Sequence, residues 1–286
     1  MRRPKTAGGR SRGPARSRHG SRTARQGRRG HRWEPGHRPG DDADAAAGGC
    51  EGRRRLPHTQ SELVALESED LHHVVVDLTD PDAPGGVIAA AVGVFGGVDV
   101  LVNNAGGPPP GATLPRLSFM APDDADWRSM IEFNLLSAVR AVPAVVPVML
   151  ERGGGAIVNV STASARAPGA MNADYAAAKA GLNVLTKALS EEYAPQGIRV
   201  NTVSPGPVRT PWWTDEGGAA DVLATAFGTD RESVLDHVAA EAMHLSSGRL
   251  ADPQEVADVV ALLVSPRSGS TTGADYAVDG GFLKEV

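Results

Sequence analysis

The 286-residue chain holds one cysteine, Cys50, so no disulfide can form within a single chain. No stretch reaches the roughly 18 consecutive apolar residues that read as a membrane span. Before Leu56 there is no Val, Ile, Leu, Phe or Tyr, which denies that segment both a buried strand and an apolar helix face. The same lack removes the apolar region of a secretory signal. The later histidines, His58, His72, His73, His237 and His244, have no metal-ligand spacing, and there is no Gly-x-Ser-x-Gly elbow. Metal and serine-hydrolase chemistry are therefore not supported. A reducing, cytoplasmic location is the expectation.

Charge divides the chain in two. Residues 1–55 carry 16 Lys and Arg against 5 Asp and Glu, whereas residues 56–286 carry 13 against 29. The head is compositionally disordered. It reads as a nucleic-acid-binding arm, an organellar transit peptide, a plain basic tail or a reading-frame artefact. The first is opposed by the acidic body, which repels the same polyanion. The second is opposed by the want of an amphipathic face. No nucleic-acid or membrane partner is expected.

The body is organised around Gly155–Lys179. Ala156-Ile157-Val158-Asn159-Val160 is the short apolar run of a buried strand, and the Ala-rich stretch ending at Lys179 reads as a helix. Tyr175 and Lys179, four apart, share one helix face. Thr162 lies at the strand's exit, 13 residues before the tyrosine. A phenol, an ammonium and a hydroxyl thus meet at the C-terminal end of a strand, where open α/β sheets bind ligands. The group suits proton transfer at an alcohol or carbonyl oxygen, with the ammonium expected to lower the phenol's pKa.

Other strands are expected at Val74–Leu78, Val98–Val102, Gly197–Ser204 and near Tyr276. Helices are expected over 82–96, from an Asp123 or Asp124 cap to about Met149, broken or bent near Pro143 and Pro147, and over 253–264. Residues 61–70 have a helical tint. The alternation argues an α/β fold with a doubly wound parallel sheet, Rossmann-like. Residues 211–248, with Trp212, Trp213, Phe227 and Met243, are left unassigned internally.

Thr162 followed by Tyr175-x-x-x-Lys179 resembles the active site of the short-chain dehydrogenase/reductase family, whose signature is a serine and then Tyr-x-x-x-Lys. Threonine stands at the serine's place, keeping the hydroxyl and adding a methyl; Ser161 and Ser164 are fallback candidates. Asn103-Asn104-Ala105-Gly106 is similar to a second family signature, Pro205-Gly206 to its Pro-Gly turn, and Asp279-Gly280-Gly281 to its terminal motif. The resemblance covers residues 60–286 or so and implies an NAD- or NADP-dependent oxidoreductase interconverting a small-molecule alcohol and ketone, with no metal. Tyr175 would transfer the proton, Lys179 would lower its pKa and bind ribose hydroxyls, Thr162 would position the substrate oxygen, and Asn134 would hold a water in a relay. Asp77 and Leu78 would meet the adenine ring, although Asp77 also reads as a turn cap. Asn104, Ala105 and Gly106 would let the cofactor lie on bare backbone. Pro205, Gly206 and the backbone of Val208 would meet the nicotinamide end, and Thr210 the carboxamide or phosphates. The resemblance further implies a lid at 211–248, a 3-oxoacyl-carrier-protein type of reductase and a homo-oligomer, tetramer or dimer, packed through its long helices.

The family's first strand–helix–strand unit, with its glycine-rich loop, is missing from this sequence. Written in GC-rich codons and shifted by one base, Arg28–Gly40 can be read Val-Val-Val-Thr-Gly-Gly-Ser-Arg-Gly-Ile-Gly-Arg, an apolar strand followed by such a loop. Trp33 and Glu34 force the second Gly of the pair whatever codons are used. The frame artefact is accordingly the favoured reading of the head, and NAD versus NADP stays open. Taken literally, the chain is expected to fold poorly or to bind cofactor weakly. An inactive, scaffold-like subunit is the alternative function.

Overall fold

The computed structural model describes residues 70–109, 111–112 and 115–285. The basic head and the polar 61–69 stretch lie outside them. Helix α1 (Ala83–Phe95) begins at a proline in its first turn and stops at Gly96, whose φ of 77° is the left-handed conformation that glycine adopts without penalty. Strand β1 (Val100–Asn103) follows. Helix α2 (Asp124–Ile131) starts at the expected aspartate: the Asp123 carboxylate accepts from Asp126 N–H, and Asp126 reciprocates in a capping box.

A π-helical turn, Glu132–Leu136, joins α2 to α3 (Ser137–Glu151) without interruption. Of the two expected outcomes at Pro143 and Pro147, a break does not occur: the helix runs through both prolines, which sit on its exposed face. There water satisfies the carbonyls their missing N–H groups release. The irregularity falls instead at Phe133 and Asn134, both buried. This 28-residue run, mean hydropathy 1.7 in its most apolar window, is long and apolar enough to cross a membrane. The 18-residue expectation was framed for unbroken apolar runs and passes over it. Here its Val142, Val145, Val146 and Met149 pack into the core.

Strands β2 (Gly155–Val160) and β3 (Ile198–Pro205) flank helix α4 (Ala173–Tyr193). The unassigned region folds as a short helix, Pro211–Thr214, then α5 (Ala219–Phe227) and helical turns over 231–242. Trp213, Ala220, Ala224, Val234, Leu235 and Ala239 form a small core of their own. Trp213 is therefore packing, 3% exposed, while Trp212 (38%) and Phe227 (54%) reach the surface. Helix α6 (Pro253–Val264) is capped by Asp252 and leads to β4 (Asp275–Val278).

Among the described residues the four strands are parallel, in the order β1-β2-β3-β4, with Asn103 opposite Asn159 and Val160 opposite Val203. Successive residues alternate between two cores. Leu101, Ile157 and Val200 face α1, α3 and α4, whereas Val102, Val158 and Val203 face Val260 and Leu263 of α6. Helices on both faces define the doubly wound Rossmann-like architecture expected. One strand differs. Val74–Leu78 is no ladder strand among the described residues; Leu71 and Val76 form only isolated bridges and Val75 is 53% exposed. The run turns at once, Asp80 N–H bonding to Asp77 O at 3.0 Å.

Candidate active site

The C-terminal ends of β1, β2 and β3 open onto one cleft, lined by Asn104, Gly106, Val160, Ser161, Thr162, Tyr175, Lys179, Pro205 and Gly206. Lys179 is 2% exposed. Its ammonium donates to Val160 O at 2.8 Å and lies 6.0 Å from the Tyr175 ring centre. Burial pulls it down to about 8. Burial also pushes the Tyr175 phenol up to about 12. That differs from the lowering expected of a neighbouring ammonium: at this separation, with the ammonium engaged by a carbonyl, desolvation of the phenol outweighs attraction.

Thr162 is half-buried with extended backbone, and its hydroxyl accepts from Ser164 N–H at 3.3 Å. The Ser161 hydroxyl instead donates to Lys179 O at 3.1 Å and is 5% exposed, so its single O–H donor is spent on tying Ser161 to α4, whereas the Thr162 hydroxyl is engaged there as an acceptor. Thr162 keeps the role of candidate over Ser161 on this geometry.

Asn134 lies behind the cleft, 2% exposed. The π-turn rotates it inward, where its amide bonds Gly107 in both directions: Oδ1 accepts from Gly107 N–H at 2.8 Å and Nδ2 donates to Gly107 O at 2.9 Å. Gly106 separates it from the lysine. A Cβ there would fall 2.6 Å from Lys179 Nζ and 3.1 Å from Asn134 Oδ1, so the two side chains converge on bare backbone. Asn103 donates to Asn159 at 2.7 Å, Asn159 to Thr186 at 2.8 Å, and Thr202 to Thr186 at 2.8 Å. This buried chain ties the strand ends to α4.

The other expected residues fall outside the cleft lining. Ala105 and Leu78 line a second groove along β1 with Asn103, Asn104 and Asn134. Asp77 is exposed and its carboxylate accepts from Thr79 N–H (2.9 Å) and Thr79 Oγ1 (2.7 Å), the turn-capping alternative. Val208 bridges to Ala251, and its carbonyl accepts from Thr210 N–H at 2.7 Å. The Thr210 carbonyl starts the next helix, and its hydroxyl makes no cap bond. Two partners went unnoticed in the sequence, the Val160 carbonyl of Lys179 and the Gly107 backbone of Asn134, because backbone groups carry no residue-type signal.

A cluster of hydroxyl, phenol, ammonium and bare backbone at the ends of parallel strands is the donor set a ribose and a nicotinamide require. The cleft therefore fits the nicotinamide half of a dinucleotide. Among the described residues no group of three or more His, Cys, Asp or Glu is placed to hold a metal.

A family model described as enoyl-(acyl carrier protein) reductase matches residues 52–283. A 3-oxoacyl-[acyl-carrier-protein] reductase of Vibrio cholerae is 36% identical over 208 residues, 73% of this chain and 76% of that protein. A cis-4-hydroxycyclohexanecarboxylate dehydrogenase of Sinomonas cyclohexanicum is 39% identical over 73% and 75% of the two chains. Among solved structures, L-sorbose reductase of Gluconobacter frateurii, complexed with NADPH and L-sorbose, superimposes with a TM-score of 0.73 at 30% identity, covering 87% of this chain and 92% of that one. The chain belongs to the short-chain dehydrogenase/reductase family. It is an NAD(P)-dependent oxidoreductase acting on a small molecule.

Proposed function

We propose that the chain interconverts a secondary alcohol and its ketone, with Tyr175 as the proton-transferring residue. The observation that carries this reading is the meeting of Thr162, Tyr175 and Lys179 in one cleft at the strand ends. When bound, NAD(P) supplies or accepts the hydride. In reduction the Tyr175 phenol gives its proton to the carbonyl oxygen as that oxygen becomes a hydroxyl; in oxidation it takes the proton from the alcohol. A phenol held near 12 is protonated at neutral pH, the form that donates. The Thr162 hydroxyl holds the substrate oxygen against the phenol.

Lys179 presents its ammonium to the ribose hydroxyls and, once drawn towards the phenol, favours the phenolate needed for oxidation. Asn134 braces the Gly106–Gly107 backbone on which the nicotinamide half rests and completes the relay behind Lys179. Asn104, Ala105, Gly106, Pro205, Gly206, Val208 and Thr210 line the path of the cofactor, with Asp77 and Leu78 at its adenine end. The chain acts in this reading as a cytoplasmic homotetramer or dimer, its assembly to be checked by light scattering.

The test is a titration of the full chain with NADH and NADPH, followed at 340 nm with carbonyl substrates chosen to match the chemistry of the relatives: a 3-oxoacyl thioester, a 4-oxocyclohexanecarboxylate and a ketohexose. Weak but saturable binding, lowered at least about a further tenfold in Lys179→Met, with consumption of reduced cofactor on one of these ketones, is the expected result. Binding indifferent to Lys179 contradicts the assignment of the cleft.

A further inference from the structure

Three residues before Tyr175, the helix that carries it begins without the usual cap. Asn172, the N-cap residue of α4, has a left-handed φ of 55° and makes no side-chain bond to its own helix. Its amide oxygen is given away: Oδ1 accepts from Arg116 N–H at 2.7 Å, and Asn172 N–H donates to Arg116 O at 2.9 Å. The Arg116 guanidinium then reaches the next turn. One arm donates to Asp174 in a buried pair, the two side chains 8% and 0% exposed. The other donates to Asp126 at 2.6 Å, the capping-box residue of α2.

One residue therefore makes three contacts to Asn172–Asp174 and a fourth to the first turn of a second helix. Asp174 depends on it, since its other oxygen is buried with no hydrogen-bond partner among the described residues. Both carboxylates lie in first helical turns, where the helix dipoles also favour negative charge.

We propose that Arg116 is a positioning residue for Tyr175: it tethers the uncapped start of α4 and sets where the first turn of that helix stands against the cleft. The proposal rests on Tyr175 as proton-transfer residue. A planar guanidinium spans two carboxylates in fixed directions, which a lysine ammonium does not reproduce.

The test separates tethering from charge balance. Arg116→Met leaves Asp174 buried and unpaired, and the melting temperature is expected to fall by about 10 °C. Arg116→Met combined with Asp174→Asn removes the stranded charge but not the lost tether. The double variant is expected to regain most of the melting temperature while kcat stays about 10- to 100-fold below the parent, with KM for the cofactor within about twofold. Amide hydrogen exchange over 171–178 should rise about tenfold in it, with no change in β2 and β3.

Recovery of kcat together with melting temperature overturns the proposal, making Arg116 a counter-ion only. Unchanged exchange over 171–178 overturns it as well, and needs no activity to be read. Should Arg116→Met not fold, Arg116→Lys keeps the charge beside Asp174 without the two-way span and is expected to show the same loss of kcat and the same rise in exchange over 171–178, with full activity and unchanged exchange overturning the proposal. Tyr175→Phe, assayed alongside, keeps the two readings apart. An active Tyr175→Phe sinks the functional reading, whereas an inactive one beside a fully active double variant sinks only the positioning role.

Discussion

Lys179 shows most plainly what the site costs the fold. It is 2% exposed, bonded to one carbonyl, and pulled by burial from 10.5 to about 8. Between those two values the unfolded chain keeps a proton that the folded chain has released, so stability contributed through this group rises with pH across that window. Relative to Lys179→Met, the parent should gain roughly 3 kcal/mol between pH 7 and 10.5. Losing the Val160 bond offsets the comparison by a constant and leaves this slope intact. Urea denaturation of both proteins at pH 7, 8.5 and 10 checks it; a difference that stays flat contradicts the burial of the ammonium. Tyr175 has the opposite sign, because its folded pKa is raised: its contribution falls as pH climbs from 10 towards 12. At this scale the sequence displayed the reactive side chains openly, since Tyr175 and Lys179 share a helix face by spacing alone. It did not display that the ammonium bonds Val160 O rather than the phenol, because a backbone acceptor leaves no mark in residue identity.

Helix ends were the legible part of the elements. Asp123 and Asp252 both cap the helices that follow, each completing a capping box with the acid three positions on. The π-turn over Glu132–Leu136 was not legible, because nothing in Glu-Phe-Asn-Leu-Leu departs from an ordinary helix. The two prolines were, and the helix runs through both of them on its exposed face rather than breaking there. Val74–Leu78 has the β-branched composition of a strand, and strand formation needs a ladder partner that composition does not supply. A test at this scale is Arg199. Its guanidinium closes the end of α6, donating to Leu263 O at 2.7 Å, Ser265 O at 3.3 Å and Val264 O at 3.4 Å, and onward to Ser268 and Thr271. A cation there also complements the helix dipole. Arg199→Met should lower unfolding free energy by about 2 kcal/mol, measured by urea titration, and leave NADPH affinity unchanged because the residue lies outside the cleft.

For the whole molecule, the doubly wound sheet follows from apolar strands that alternate between two cores, and it was readable from the order of apolar runs and helical stretches. The internal folding of 211–248 was not, because its small core of Ala, Leu and Val around Trp213 repeats no period long enough to announce itself. What the assembled sheet provides is one place where three strand ends, a helix face and a glycine backbone meet, and the account stands on that place performing the chemistry. The most direct test is turnover of reduced cofactor at 340 nm by the full chain and by Tyr175→Phe, with cofactor affinity measured on both. The account predicts a kcat about 10²- to 10⁴-fold lower in Tyr175→Phe, with cofactor affinity changed less than about threefold. Turnover that survives the loss of the phenol would contradict it.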